Sequence, residues 1–497
     1  MQQYDVIHSF LHQSALSHPE KIALIQKEEK VSYEELAERA EQISQWLLHH
    51  DLQPGERVAI LTDDACEYVA AYFGILAAGG IAIGLNTQTS NHALSSVLAD
   101  SGSCIVLSQQ KFQKYASVIM AQASVRHFET TIRSLWEHGI RSEPKPLPRI
   151  HSEDIAQIIY TSGTTGAPKG VMLSHRNLAA NTQSTVGYLG LTERDTIMAV
   201  LPFFYSYGNS VLLTHIAAGG TLVVNQSFLY PNVILEQMAA EAVTGFSGVP
   251  SSFAILLNRS SVREYSFPKL RYLTQAGAPM SPALAANLSA VFPEVKIFIM
   301  YGQTEAGPRL SFLEPERVVD KAGSIGKAIP GVTLTVCRPD GSEVEVGELG
   351  EIVATGDNIM AGYWQQPEET ATVLKKGKLW TGDLARVDQD GFLFIESRKS
   401  DMIKSGSHRI GPKEIEDAIM EFSSIHEVAV VGHKDDILGE KIVAFLVVKE
   451  GCDASEKELL RHCRRNLPSF KVPHTIIFEN ELPKTATGKI QKTELKK

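Results

Sequence analysis

The chain has 497 residues, 43% hydrophobic and 21% charged, which is ordinary for a water-soluble protein but too long for one hydrophobic core, so two or more domains are expected. Its net charge of −10 argues against nucleic acid or an anionic membrane as a bulk electrostatic partner, while leaving room for a small basic pocket. Cys66, Cys104, Cys337, Cys452 and Cys463 stand far apart with no Cys-x-x-Cys, so neither a disulfide framework nor a zinc site is expected, and a reducing cytoplasm fits.

In chain order, the N-terminus shows no basic region followed by an apolar core, so no secretory leader is read there. Residues 31–48 place Leu36, Ala40, Ile43 and Leu47 on one helical face, with Ser32 as N-cap and Glu35 completing a capping box. Residues 57–61 read as a strand. Tyr68 to Leu85 is uncharged and close to membrane-spanning length, but Gly79 and Gly80 divide it and Gly74 and Gly84 weaken it. A buried helix over 67–78, a turn and a strand over 81–84 account for it better than a membrane span. A helix over 93–100 and a strand over 104–107 continue the alternation, which means an α/β layer with a largely parallel sheet. Residues 143–149, with three prolines, form a stiff connector.

The apolar run 155–160 reads as a buried strand. It leads into Thr161, Ser162, Gly163, Thr164, Thr165 and Gly166, then Lys169 and a second apolar run over 171–173. Hydroxyls, close-approaching backbone N–H groups and one ammonium within nine residues suit a polyphosphate. The spacing is not that of the ordinary P-loop, because Gly163 and Gly166 are three apart and Lys169 precedes Gly170. Beyond it come strands over 196–201, 221–224, 244–248, 272–275 and 297–301, with helices over 210–218 and 231–241. From residue 333 the pattern changes to short strands with Gly turns (334–337, 350–354, 391–395), a smaller β-rich unit. Past residue 400 a new unit begins, with helices over 412–420 and 455–466 and strands over 426–432 and 441–448.

Three further strings carry chemistry. Tyr301-Gly302-Gln303-Thr304-Glu305 closes a strand and offers an aromatic face, a hydroxyl for phosphate and a carboxylate for Mg²⁺. Trp380-Thr381-Gly382-Asp383 offers a carboxylate that can accept from two ribose hydroxyls. Leu482 to Ile490 contains a Gly-Lys pair at Gly488 and Lys489. Each string alone is a common polar turn. Together, and in this order, they resemble the signature motifs of the adenylate-forming superfamily: acyl-CoA synthetases, aryl acid ligases, peptide-synthetase adenylation domains and luciferases. The resemblance covers essentially the whole chain.

The resemblance implies an α/β fold. A large N-terminal domain (1–398) would comprise two α/β subdomains and a β-rich subdomain. A small mobile α+β C-terminal domain (401–497) would follow, with a hinge near 398–401. It implies that 161–166 and Lys169 hold ATP phosphates, and that Gly277, Ala278 and Pro279 line the adenine beside Tyr301 and Gly302. Thr304 would contact the α-phosphate, Glu305 the Mg²⁺, and Asp383 and Arg398 the ribose. Lys489 would enter the site during adenylation, binding the carboxylate and α-phosphate where charge builds. The reaction implied is ATP-dependent activation of a carboxylic acid, then transfer to CoA or to the phosphopantetheine of a carrier protein. A luciferase-like oxygenase or a non-catalytic nucleotide binder are the remaining classes.

The chain departs from the family pattern at Ser397, Ser400 and Ser407, where similar enzymes have Gly, Asp or Lys, and Gly. The Gly at Ser407's position lines the thiol tunnel, which would also involve Gly406 and Arg409. The acid pocket falls at Leu201 to Asn209, with Tyr205, Tyr207 and Asn209 as lining and Phe203 and Phe204 as core. No Asp or Glu occurs from Pro202 to Phe228, which disfavours a substrate ammonium and favours an aryl or short-to-medium apolar acid.

Overall fold

Two large sheets face each other across a helix that is buried along nearly its whole length. The computed structural model describes residues 6–137, 143–162, 168–406, 408–435, 437–484 and 490–496. One sheet has nine strands, in the order Lys327–Ala328, Ser311–Leu313, Lys296–Tyr301, Tyr272–Gln275, Gly245–Gly248, Thr196–Ala199, Thr221–Val224, Ile22–Gln26 and Glu29–Ser32. Its interior pairs are parallel and its outer pairs antiparallel. The other has seven strands: Gly362–Tyr363, Pro168–Ser174, Ile155–Ser162, Ile81–Gly84, Arg57–Leu61, Ile105–Ser108 and His127–Glu129. Val58, Ala59, Ile60 and Leu61 are fully buried in succession, as befits a parallel strand covered on both faces.

The uncharged run after Tyr68 belongs to the buried helix, Ala65–Ala77, which packs on strands of both sheets and on the amphipathic helix Tyr33–His49. A charge there would face no water. The capping box of Ser32 and Glu35 is formed as read. A Cβ on Gly74 would lie 2.7 Å from the Ala40 carbonyl oxygen, so the two helices approach too closely for any other residue. Among the described residues no helix is long and apolar enough to cross a membrane.

The helix expected over 210–218 begins earlier, at Ser206, and runs to Ala217. Tyr207 and Asn209 therefore lie on a helix instead of a loop. A third, antiparallel sheet contains Val332–Cys337, Gly350–Gly356, Lys378–Val387 and Leu393–Arg398. A fourth draws all its strands from residues 403–478, with the helices Pro412–Met420 and Glu456–Asn466 beside it. The architecture is thus α/β with a larger N-terminal and a smaller C-terminal part.

Candidate active site

Asp383 and Arg398 are register partners on the adjacent strands Lys378–Val387 and Leu393–Arg398. Arg398 Nε donates to Asp383 Oδ1 at 2.9 Å, and the Tyr301 hydroxyl donates to Oδ2 at 2.7 Å. Asp383 is only 4% exposed, so this carboxylate is held by a cation on one oxygen and a phenol on the other. Burial first, and then the Asp383 charge, push the Tyr301 phenol well above its ordinary range, which keeps it a neutral donor. The Asp383 charge likewise raises Arg398. Three residues scattered over 98 positions of sequence are brought to one point where the nine-stranded sheet meets the antiparallel one.

From Tyr301 the chain turns sharply. A Cβ on Gly302 would fall 1.8 Å from the Pro308 carbonyl oxygen, so only Gly fits. Thr304 Oγ1 lies 3.1 Å from Ser206 Oγ at the start of the Ser206–Ala217 helix. Glu305 Oε1 accepts from the Tyr363 hydroxyl at 2.8 Å. Lys169 stands 5.4 Å over the Tyr363 ring and pairs with Glu369. Lys169, Tyr363 and Glu305 therefore form a continuous chain, although they come from three separated segments. Burial, then the Glu305 charge, raises the Tyr363 phenol, so it too stays a donor. The turn is clamped by two amides: Asn181 and Asn358 each donate through Nδ2 to both the Ala306 and Arg309 carbonyls.

Gly277 has φ +91°, and the Ala278 carbonyl accepts from Gln275 Nε2 at 2.7 Å, which fixes the segment through Pro279 at the end of the Tyr272–Gln275 strand. Tyr205 precedes the Ser206–Ala217 helix and is half-buried; its hydroxyl accepts from Asn86 at 3.4 Å, and burial raises its phenol to about 12. Tyr207 is buried, with its hydroxyl 2.9 Å from both the carbonyl oxygen and Oγ1 of Thr274. Asn209 is 1% exposed and donates to Gln157 Oε1 at 2.9 Å. Phe203 is buried in the core, and Phe204 packs against it. Ser206 and Asn209, with Thr182, Leu213, Gly307 and Pro308, line a narrow crevice behind the Thr304 turn.

In the C-terminal part, Ser405 pairs with His408 between the strands Ile403–Ser405 and His408–Ile410. Gly406, directly after Ser405, takes the left-handed conformation at φ +58° with open space around it. Gly163, Thr164, Thr165, Gly166, Ser407 and Lys489 lie outside the described residues; Ser162 and Arg409 are described by backbone alone, and Thr161 is part-buried on the Ile155–Ser162 strand. Near the expected hinge, Ser397 is buried with its hydroxyl 2.8 Å from Met402 Sδ, and Lys496 Nζ donates to the Ser400 carbonyl at 3.1 Å.

Sequence reasoning missed Ser206, Tyr363 and Arg309. Ser206 and Tyr363 carry no local signal, since each becomes significant only through a partner about 60 to 100 positions away. Arg309 is the most unusual of the three. It is 3% exposed, its guanidinium lies 4.0 Å over the Tyr207 ring, and its Nε has no hydrogen-bond partner among the described residues.

Comparison with known proteins gives the same outline. Residues 11–364 match the model of the AMP-binding enzymes, and residues 414–489 that of the AMP-binding enzyme C-terminal domain. A long-chain-fatty-acid–CoA ligase of Bacillus subtilis is 31% identical over 98% of this chain and 94% of its own. A feruloyl-CoA synthase of Amycolatopsis is 33% identical over 94% of each. The solved structure of O-succinylbenzoate coenzyme A synthetase from Bacillus subtilis, in complex with ATP and magnesium ion, superposes with a TM-score of 0.88 at 30% identity. That match covers 98% of this chain and 99% of the other.

Proposed function

The chain belongs to the AMP-binding enzymes of the adenylate-forming superfamily and is an AMP-forming acid–CoA ligase; on that premise we propose that its acid is an aryl or short-to-medium acyl carboxylate with a largely apolar body. The observation that carries the site assignment is the convergence of Tyr301, Asp383 and Arg398 beside the Thr304–Glu305 turn. The acid class is supported by the aromatic segment at Tyr205 and Tyr207 and by the absence of Asp and Glu from Pro202 to Phe228.

The reaction needs no protein nucleophile. A carboxylate oxygen of the acid attacks the α-phosphorus of ATP, the bond to the β-phosphate bridging oxygen breaks, and pyrophosphate leaves. In the second step the CoA sulfur attacks the acyl carbon of the mixed anhydride and AMP leaves. Asp383 accepts from the ribose hydroxyls, with Arg398 and Tyr301 holding it in orientation. Thr304 positions the α-phosphate, and Lys169 attracts the outer phosphates. Glu305 presents a hard carboxylate oxygen that would help to hold Mg²⁺ beside the phosphates. When bound, the ion supplies positive charge against the phosphate oxygens. Lys489 meets the reacting carboxylate and α-phosphate from the C-terminal part, with residues 398–401 as the hinge between residues 1–398 and 401–497. Gly406, with Ser407 and Arg409, borders the thiol.

The test is ATP–pyrophosphate exchange across aryl, fatty and amino acids, followed by CoA with the best acid. Exchange with an aryl or short acyl acid and formation of its acyl-CoA is the expected result. Preference for long-chain or amino acids overturns the acid class. Exchange without acyl-CoA moves the acceptor to a carrier-protein phosphopantetheine.

A further inference from the structure

Arg309 is buried as deeply as the aliphatic core, yet among the described residues no carboxylate lies within ion-pair range of it. An arginine does not escape burial by giving up its proton, so an uncompensated guanidinium in such a place is costly. Its neighbours are aromatic: the Tyr207 ring at 4.0 Å and the Tyr188 phenol. A ring face offsets part of the lost hydration and the Tyr188 hydroxyl takes a hydrogen bond from the guanidinium, but Nε is left without an acceptor among the described residues. The backbone at Arg309 is pinned by Asn181 and Asn358, so the side chain cannot leave by moving the turn.

The position relative to the chemistry matters. Tyr207 directly follows Ser206, whose hydroxyl meets Thr304, and Arg309 covers the Tyr207 ring. The far side of Tyr207 is tied to the strand end at Thr274, next to the Gly277–Pro279 segment. An acid whose reacting carboxylate meets the α-phosphate at Thr304, and whose body runs along the start of the Ser206–Ala217 helix, would bring its far end toward the guanidinium.

We propose that Arg309 is a specificity-determining residue that receives a second carboxylate at the far end of the substrate acid. This rests on the ligase reading above and narrows it to acids with an apolar or aryl body and two carboxylates. The planar guanidinium and a carboxylate match in two parallel hydrogen bonds, which supply the acceptor that Nε lacks and balance the buried charge together. A monoacid would leave Arg309 Nε unpaired, and a substrate ammonium would add a like charge.

The experiment measures ATP–pyrophosphate exchange with matched pairs of acids, each pair identical except for a distal carboxylate or carboxamide. For the wild type, kcat/KM with the diacid should exceed that with the carboxamide by ~10²-fold or more. Arg309→Met should collapse this ratio toward one, chiefly through KM for the diacid, and Arg309→Lys should keep an intermediate ratio. A wild-type preference for the carboxamide overturns the proposal. So does a ratio left intact in Arg309→Met or, if that variant does not fold, in Arg309→Lys. Exchange with no acid of any class overturns the ligase reading itself, which separates the two failures.

Discussion

Arg271 and Arg309 both lay a guanidinium over a tyrosine face, 4.7 Å from Tyr272 and 4.0 Å from Tyr207. Arg271 is completed within the chain. Its Nε and one terminal nitrogen each donate to an Asp195 oxygen at 2.7 Å, and it also donates to the Leu189 and Gly190 carbonyls at 3.0 and 3.1 Å. Burial works against the charge on Asp195, but the hydrogen bonds from Arg271, Thr192 and Thr244 outweigh it and hold the carboxyl below its usual range. Arg309 has the deeper burial and no such partner. The first arginine ties a helix end to two strands. The second, at the end of the Thr304 turn, has an Nε that no described residue completes.

The comparison breaks most visibly if Arg271 is not what holds its corner. Asp195→Ala removes the acceptor of Arg271, of the Thr192 amide and of the Thr244 hydroxyl. It should lower stability by about 3 kcal/mol, the low end for a broken pair because Arg271 is 38% exposed and can rehydrate. Urea unfolding measures this, and the diacid-to-carboxamide ratio should stay as in the wild type. A loss under ~1 kcal/mol would mean that completion inside the chain matters little for either arginine.

Asp383 sharpens the contrast, since it is satisfied by Arg398 and Tyr301 and yet lies in the site. Asp383→Asn keeps the shape but loses the charge that ribose hydroxyls and Arg398 meet. The cost should be about 2 kcal/mol, or roughly 30-fold in kcat/KM for ATP, seen mainly in KM. Unchanged ATP kinetics would remove Asp383 from the nucleotide site.

Glu67 is an intermediate case, a buried carboxylate with a guanidinium only at 3.6 Å, from Arg133, and a 2.7 Å hydrogen bond from the Thr62 hydroxyl. Burial pushes its carboxyl up to about 7, partly countered by that hydrogen bond. The folded state therefore binds the proton more tightly than the unfolded chain. The stability this contributes is full below about pH 4.5 and is lost as pH rises through about 7. Glu67→Gln, which stays neutral, should gain about 1–2 kcal/mol over the wild type between pH 5 and pH 8. Equal urea midpoints for the two proteins at both pH values would show that Arg133 already compensates the charge.

Much of this could be read from sequence, and the reason differs by residue. The helices and strands from residue 33 to 108 follow from periodicity, because each buries one face or both, and the capping box at Ser32 is a local device, whereas the helix His8–Ser17 and the strands Ile22–Gln26 and Glu29–Ser32 were not read. Thr304, Glu305 and Asp383 were singled out through short strings whose spacing is local. Their supports were not found. Ser206, Tyr363 and Asn358 act on residues 49 to 98 positions away, and nothing in their own neighbourhoods announces it. Arg309 was hidden by its context: in Gly307-Pro308-Arg309-Leu310 an arginine reads as a solvated turn charge. Only the packing of the Ser206–Ala217 helix against the turn turns it into a buried one.

That packing also yields the smallest and most discriminating prediction. Removing Arg271's partner takes away several hydrogen bonds, whereas Arg309→Met takes away no ion pair. It exchanges a buried, incompletely bonded guanidinium for an apolar chain of similar reach against Tyr207 and Tyr188. The lost cation–π contact, about 1 kcal/mol, is offset by relief of an unpaired buried charge. The ligand-free variant should therefore unfold within ~1 kcal/mol of the wild type in urea, on either side of it. A distal diacid should then raise the melting temperature of the wild type more than that of the variant. If Arg309→Met instead loses as much stability as Asp195→Ala, the guanidinium is already paid for inside the fold by its two tyrosines. Arg309 would then be a second Arg271, with no donors left to choose the substrate.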